Sequence, residues 1–167
     1  ISALEECGFE VDICYMTIDE NGFQKRIFGN KVIDNYGNGY KAKLYKWIHF
    51  SSLTEAILNS GIKFIYIRSF YNTNPPLLKM LKKLHEAGIK IVMEIPTYPY
   101  DSEFRNSPLK DKFRGFINKL YRKELKRYIY RIVTFTDYPT IHGIRTINIS
   151  NGIDFDSIKM KKIVNNT

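Results

Sequence analysis

Apolar residues in this chain come in short runs that alternate with stretches of helical spacing. Two runs, IKFIYIR (62–68) and IKIVMEI (89–95), are almost unbroken, which is typical of strands buried on both faces of a parallel sheet. Between them, NPPLLKMLKKLHEAG has proline at its start, leucines at helical spacing and Gly88 at its end, and so predicts a helix. IVTFT (132–136) and RTINIS (145–150) predict two further strands. Strands alternating with helices in this order predict an α/β sheet with right-handed crossovers.

The amino-terminal third of the chain has a different pattern. Residues 1–8 predict the last turns of a helix, and the alternating stretch Phe9–Met16 predicts a strand. Turn signals at Asn21-Gly22 and Gly29-Asn30 predict a small hairpin or meander at a sheet edge, and 40–61 predicts one or two helices.

These elements predict a Rossmann-like α/β fold, with a mostly parallel sheet and helices on both faces. A doubly wound domain normally opens with a central strand, whereas this sequence opens within a helix. We therefore expect that an upstream first strand is missing or that another segment takes its place. We assign 1–150 to this domain and 151–167 to the start of an interdomain linker. The stretch DYPTIHGI (137–144) predicts a short turn or helical segment.

Composition indicates one folded domain. The chain has 167 residues, 44% of them hydrophobic and 26% charged, which is typical of a globular protein and not of a disordered one. It has no apolar run of membrane-spanning length and no signal-peptide pattern, and its two cysteines make no disulfide framework. No Cys/His cluster has metal-ligand spacing, so we predict no metal and, by default, a cytoplasmic location.

The net charge of +9 predicts an acidic partner: nucleic acid, anionic lipid headgroups or a phosphorylated small molecule. Residues 108–131 hold nine basic and two acidic residues and so supply +7 of that charge. The same segment predicts a long helix whose apolar stripe packs on the sheet. The stripe consists of Leu109, Phe113, Phe116, Ile117, Leu120, Tyr121, Leu125 and Tyr128.

Such charges are ordinarily just solvated, but their concentration on one helix favours peripheral binding to an anionic membrane. The residues predicted to face the membrane are Lys112, Lys119, Arg122, Lys123, Lys126 and Arg127. Only the charge argues for nucleic acid, because the chain has no helix-turn-helix, zinc-finger or RNA-binding signature, so we predict no nucleic-acid partner.

Polar clusters follow the predicted strands, and ligands of open α/β sheets sit outside the carboxyl ends of the strands. Arg68 closes the first run, with Tyr71 beyond it. A guanidinium there suits a phosphate or carboxylate, although pairing with a neighbouring acid is an equally good explanation. Asp137 and Asn151-Gly152 follow later strands, and the Asn-Gly pair alone is commonly just a turn.

The richest cluster is EIPTYPYDSE (94–103). Prolines restrict the backbone around Tyr98 and Tyr100, whose rings suit the apolar faces of sugars. Asp101 and Glu103 can accept hydrogen bonds from hydroxyls, and a carboxylate here can act as a general base. Glu94 interrupts an apolar strand, so it needs a partner or a raised pKa. The simpler alternative is a rigid loop with an aspartate capping the next helix.

Four segments in this order, IKIVMEIPTYPYDSE, the basic helix, RIVTFTD and GIRTINISNGIDFDSI, resemble the amino-terminal half of a GT-B glycosyltransferase. The family is that of the bacterial family-four, group-one enzymes that build capsular and surface polysaccharides. The likeness is strongest over 62–158, and ISALEECGFEVDICYM (1–16) also resembles the family's first helix and second strand.

The resemblance implies the acceptor-binding half of a retaining, metal-independent hexosyltransferase. The nucleotide-sugar donor would be bound by a carboxyl-terminal domain that this sequence lacks, the acceptor would be a sugar or a lipid-linked sugar, and this domain would bind no cofactor. Such an enzyme would work in the cytoplasm, peripherally at the inner face of the plasma membrane. By itself this chain is expected to bind acceptor weakly and to turn over poorly or not at all.

Carried over by residue, the resemblance places a set of side chains on the cleft wall. Asp101 is the predicted catalytic base, Asp137 matches the acid after the following strand, and Ser102 departs from the glycine expected beside it. None of the three histidines, His49, His85 and His142, is predicted to be catalytic. The predicted substrate-binding set is Arg68, Tyr71, Glu94, Thr97, Tyr98, Tyr100, Glu103, Asp137, Asn151 and Gly152.

An alternative function remains: a stand-alone α/β binding module with a basic face for anionic lipid or nucleic acid. A second α/β domain with two glutamates in a nucleotide-sugar loop, encoded next to this region, would favour the glycosyltransferase. A stop codon after Thr167 would favour the module.

Overall fold

The computed structural model describes residues 2–68, 73–99 and 108–150. The helices are α1 (Ser2–Glu6), α2 (Gly39–Ile48), α3 (Ser51–Ser60), α4 (Pro75–Glu86) and α5 (Leu109–Tyr121), followed by a 3₁₀ helix (Arg122–Arg127). The strands are β1 (Cys14–Ile18), β2 (Gln24–Phe28), β3 (Lys31–Asn35), β4 (Phe64–Ile67), β5 (Lys90–Glu94), β6 (Arg131–Thr134), β7 (Thr140–Ile141) and β8 (Ile144–Asn148).

A five-stranded, mostly parallel sheet organises the molecule. Its strand order is β4-β5-β6-β8-β7, in which the first four strands are parallel and β7 pairs antiparallel with β8. The helices that connect these strands flank the sheet. The predicted Rossmann-like α/β fold with a mostly parallel sheet is therefore confirmed.

One face of the sheet packs against α4. Alternate residues of β5 point to the same face, and Ile91 and Met93 lie with Leu81 and Leu84 of α4 in one buried cluster. The helix begins as predicted, because Asn74 accepts a hydrogen bond from the Leu77 amide at 2.9 Å and prolines occupy the first helical positions. This cluster is the main core of the described residues.

The other face of β4 is open. Phe64 and Tyr66 are exposed, whereas Val92, on the same face of the neighbouring strand, is buried. The prediction that 62–68 is buried on both faces is therefore wrong. The physical reason is position, since β4 lies at the edge of the sheet in the described residues and an edge strand has neighbours on one side only.

The strands β1, β2 and β3 form an antiparallel meander, as predicted, but this meander is a separate sheet and does not lie at the edge of the parallel sheet as expected. The strand predicted over Phe9–Met16 is wrong in its bounds, because β1 begins at Cys14 and ends at Ile18. Pairing decides this, since Cys14 lies opposite Phe28 and the ladder runs from there to Ile18 opposite Gln24.

Two predictions for the carboxyl-terminal third need correction. The helix predicted over 108–131 ends at Tyr121, a 3₁₀ helix follows it, and Arg131 begins β6. The stretch 137–144 holds β7 and a two-residue turn into β8. His142 and Gly143 both have positive φ, 52° and 78°, which matches a type I′ hairpin turn.

The orientation of α5 also differs from the prediction that its apolar stripe packs on the sheet. Leu125 is buried and Tyr128 packs on the core, but four residues of the stripe face solvent. Leu109 is 86% exposed, Phe113 66%, Phe116 63% and Leu120 58%. In the described part of the chain, no helix combines the length and apolarity that a membrane span requires.

Candidate functional site

The parallel strands β4, β5, β6 and β8 all end at one edge of the sheet, which we call the carboxyl edge. Arg68 follows β4, Glu94 ends β5, Asp137 follows β6 by three residues and Asn148 ends β8. Since adjacent strands lie about 4.8 Å apart, the ends of β4 and β8 are separated by about 14 Å. The strand ends that carry the described site residues thus lie along one edge of the sheet, but these residues do not all contact one another.

Glu94 has the partner that its buried position requires. The hydroxyl of Tyr66 donates to Glu94 Oε2 at 2.6 Å, and Glu94 is only 7% exposed. The two side chains meet because Tyr66 and Val92 are in register, so that Glu94, two residues on, projects from the same face of the sheet. The prediction of a partner is confirmed. Sequence reasoning missed Tyr66, although its place two residues before Arg68 gives it the same face.

Tyr66 is held in its protonated form. Although much of the ring is exposed, partial burial raises the pKa of the phenol above the ordinary value of 10.0, and the hydrogen bond to the Glu94 carboxylate raises it further. The phenol is therefore a hydrogen-bond donor throughout the physiological range, and the carboxylate accepts.

Arg68 fits both explanations that the sequence left open. Its Nε lies 3.7 Å from Glu94 Oε1, so it does have an acidic neighbour. That contact is long, however, and 81% of the Arg68 side chain is exposed against 9% of the Glu94 side chain. The guanidinium therefore remains accessible to an anion, and its two terminal nitrogens can bind phosphate oxygens in parallel.

Tyr98, a predicted site residue, is also a packing residue. It is half-buried against the core cluster. Its ring centroid lies 5.0 Å from that of Tyr138 and 5.5 Å from that of His142, and both contacts are edge to face. Thr97 beside it is exposed. Because Glu94 points away from the face that Met93 and Ile95 share with the core, Glu94 and Tyr98 belong to two clusters along the edge.

A third polar group lies at the β6–β8 end of the edge. The amide of Asn148 donates to Asp137 Oδ1 at 3.0 Å and to the Thr136 carbonyl at 2.9 Å. This fixes an exposed Asp137 carboxylate in place, ready to accept bonds from hydroxyls. Sequence reasoning missed Asn148, whose only signal was its place at the end of a strand.

Several predicted site residues lie outside the described residues. They are Tyr71, Tyr100, Asp101, Glu103, Asn151 and Gly152. Their roles stay predictions. The described part of the carboxyl edge consists of the pair Arg68–Glu94, Thr97 with Tyr98, and Asp137 with Asn148.

The predicted membrane-facing cations are distributed over two elements. Lys112 and Lys119 of α5 and Lys123 of the 3₁₀ helix are exposed, whereas Arg122 is half-buried. The other two, Lys126 and Arg127, line a groove of about 310 Å³ with His85 and Tyr130, and Arg127 Nε pairs with Glu124 at 3.1 Å.

An open groove of about 480 Å³ lies between the start of α3 and the first turns of α4. His49 in its wall has a carboxylate and a hydroxyl nearby: Nε2 is 3.6 Å from Asp34 Oδ1 and 3.1 Å from Ser51 Oγ. A nucleophile–base–acid triad uses the two different ring nitrogens, and here both partners meet the same one. His49, Asp34 and Ser51 are therefore not arranged as such a triad, and the other polar side chains that line the groove are Thr54, Lys79 and Lys83.

Within the described ranges, no group of three or more His, Cys, Asp or Glu side chains is arranged to hold a metal ion. Comparison of the chain with protein-family models, with curated proteins and with solved structures finds no match.

Proposed function

We propose that this chain is the acceptor-binding domain of a nucleotide-sugar-dependent glycosyltransferase that builds bacterial capsular or surface polysaccharide. The observation that carries the proposal is the carboxyl edge, where an accessible Arg68 beside Glu94 and a fixed Asp137 carboxylate lie on one rim of a parallel sheet. Ligands of this fold class bind at such a rim. The likeness of 62–158 to the family-four enzymes supports the same conclusion from the sequence.

The chemistry of the rim suits a sugar linked to a diphosphate. Arg68 would bind a phosphate through its guanidinium, while Asp137 and Thr97 would bond sugar hydroxyls. Glu94, which is itself held by Tyr66, would orient the Arg68 guanidinium from the protein interior, because the carboxylate is buried and the guanidinium is exposed. In this proposal an acceptor hydroxyl attacks the anomeric carbon of the donor sugar on the same face as the nucleoside diphosphate. The bond to the diphosphate oxygen breaks as the new glycosidic bond forms, the nucleoside diphosphate leaves, and Asp101 accepts the hydroxyl proton as general base.

In this proposal the donor sugar is bound by a different domain. A second, carboxyl-terminal domain would bind the nucleotide sugar, transfer would be retaining and metal-independent, and 151–167 would lead into that domain. A lipid-linked acceptor would place the enzyme in the cytoplasm, at the inner face of the plasma membrane. By itself the chain would bind acceptor and transfer little or nothing.

Binding of a soluble acceptor mimic tests the proposal. The probe is a disaccharide on a short-chain prenyl diphosphate, titrated into the full chain and followed by ligand-observed NMR. We expect saturable binding with a dissociation constant of about 1 mM, weakened about 10-fold or more in Arg68→Ala, because a charge-assisted bond to phosphate is lost. Arg145→Ala, at an exposed arginine of β8, is the matched control and should bind like the wild type.

Equal binding by Arg68→Ala and the wild type would refute the site assignment. In the two-domain enzyme, Arg68→Ala and Asp101→Asn are expected to abolish transfer while the protein stays folded. Full activity in both variants would exclude these residues from the mechanism.

A further inference from the structure

We propose that α5 is a membrane-surface helix whose exposed apolar stripe enters the outer part of an anionic lipid leaflet. The stripe is the set Leu109, Phe113, Phe116 and Leu120. Each of these side chains is more than half exposed. They recur at intervals of three and four residues, so they lie along one side of the helix. The inference is independent of the proposed sugar chemistry.

The stripe is exposed because α5 turns its polar side to the protein. Asn118, on the opposite side from the stripe, is buried, and its side-chain oxygen accepts a hydrogen bond from the Thr73 amide at 3.0 Å. Arg114 lies over the ring of Trp47, with its guanidinium carbon 3.1 Å from the ring centroid. These contacts fix the rotation of the helix about its axis, and that rotation leaves four large apolar side chains in contact with water.

Contiguous exposed apolar surface of this kind is uncommon on a monomer and marks an interaction site. The charges around the stripe identify the partner. Lys112 and Lys119 are exposed and directly precede Phe113 and Leu120, and Lys123 follows in the 3₁₀ helix. Asp111, the one acidic residue of α5, pairs with Arg114 at 3.1 Å on the inward side. Among the side chains of α5 that the structure describes, the outward side therefore combines Leu and Phe with lysines.

A lipid surface matches this combination better than another protein does. Helices that lie in the membrane interface bury Phe and Leu at the boundary between headgroups and acyl chains, while lysines beside them bind lipid phosphates. A protein groove complementary to this helix would need carboxylates for the lysines as well as an apolar floor. An anionic leaflet supplies both kinds of surface everywhere.

The position of α5 relates this surface to the carboxyl edge. Because α5 connects the end of β5 to the start of β6, it begins on the side of the carboxyl edge and runs back along the sheet. Leu109 and Phe113 therefore lie toward that edge. A helix bound at the membrane through its stripe would hold the rim near the lipid surface.

Vesicle flotation tests the inference with the full chain and without any acceptor. The vesicles are equal parts phosphatidylglycerol and phosphatidylcholine, or phosphatidylcholine alone. We expect the wild type to bind the anionic vesicles. The double variant Phe113→Gln with Phe116→Gln should partition onto them about 100-fold less, because each ring removed from the interface costs about 10-fold. Lys112→Gln with Lys119→Gln should lose about 30-fold on anionic vesicles. Raising the salt from about 0.05 to about 0.5 M should weaken wild-type binding.

Phe9→Gln is the matched control, because Phe9 is 62% exposed and Phe116 is 63% exposed. It should bind vesicles like the wild type. The Phe113 and Phe116 variant should unfold thermally within a few degrees of this control, since neither ring contributes to the core. Unchanged flotation of that variant overturns the proposal. So does a wild-type dimer in lipid-free solution that the same variant converts to monomer, because the stripe would then bind a second copy. Weak flotation that is insensitive to salt overturns the role of the lysines.

Failure of this test and failure of the proposed function are distinguishable. If the chain binds vesicles through α5 but does not bind the prenyl diphosphate sugar, the membrane surface is supported and the acceptor site is refuted. The reverse result retains the acceptor site and loses the membrane surface.

Discussion

Two tyrosines that donate hydrogen bonds to buried carboxylates stand out among the individual residues. Tyr66 donates to Glu94, and Tyr36 donates to Asp34 Oδ2 at 2.7 Å. Burial is the larger cause that raises the pKa of each phenol above 10.0, and the adjacent carboxylate adds to it. Each phenol therefore keeps its proton in the folded protein at pH values where the unfolded chain loses it.

This difference in proton affinity predicts a stability loss at alkaline pH. Above pH 10 or so the folded protein binds more protons than the unfolded chain does, so the free energy of unfolding falls as the pH rises. Below that pH the contribution is fully present. We expect a shallower decline in Tyr66→Phe than in the wild type, measured by urea unfolding at several pH values. Identical slopes in the two proteins would contradict the assigned hydrogen bond.

Removing that hydroxyl at neutral pH leaves the buried Glu94 one donor short. An unsatisfied buried acceptor costs on the order of 1–3 kcal/mol. Water that reaches Glu94 from the exposed face of β4 should reduce this cost. The difference in the free energy of unfolding between Tyr66→Phe and the wild type at neutral pH measures this cost. The change of that free energy with pH above about 10 measures the proton-linked effect separately.

At the scale of elements, the antiparallel meander is anchored to the helices by one buried guanidinium. Arg26 on β2 donates through Nη1 to the His49 carbonyl at 2.7 Å and through Nη2 to the Lys46 carbonyl at 3.0 Å. Its Nη1 also lies 3.1 Å from Asp34 Oδ2. The two carbonyls belong to the carboxyl end of α2, where the helix dipole favours a cation. A single side chain thus joins β2, β3 and α2.

Arg26→Met should therefore lower the free energy of unfolding by about 3–5 kcal/mol, because it leaves Asp34 buried without its cation. Arg127→Met is the control. Its pair with Glu124 is exposed, so the expected loss is at most about 1 kcal/mol. Urea denaturation of both variants gives the comparison. Similar losses in the free energy of unfolding would show that Arg26 does not stabilise the contact between the meander and α2.

At the scale of the whole molecule, stability is expected to be unequal across the parallel sheet. The strands β5 and β6 each have strand neighbours on both sides, whereas β4 has one neighbour in the described residues and an exposed outer face. The buried cluster against α4 also contains more of β5 than of β4. The centre of the sheet should open only when the whole domain unfolds.

Hydrogen exchange tests this expectation. Amides of β5 and β6 should exchange about 10-fold or more slowly than those of β4 and of the meander, since edge and peripheral elements open at lower free energy than the core. Uniform protection across the parallel sheet would indicate that the β4 edge is covered in solution.

The sequence by itself determined the kind and order of the main elements, because buried strands and amphipathic helices have periodicities that a single chain displays. The strand within 89–95, the helix that begins with two prolines and the need of Glu94 for a partner or a raised pKa all followed from local pattern. Tertiary structure decided which face of each element is covered. Periodicity shows that Phe113 and Phe116 share a side with each other, but only the contacts of Asn118 and Arg114 turn that side outward. The edge position of β4, the pairing of Tyr66 with Glu94 and the packing of Tyr98 on Tyr138 likewise depend on neighbours that are distant in sequence.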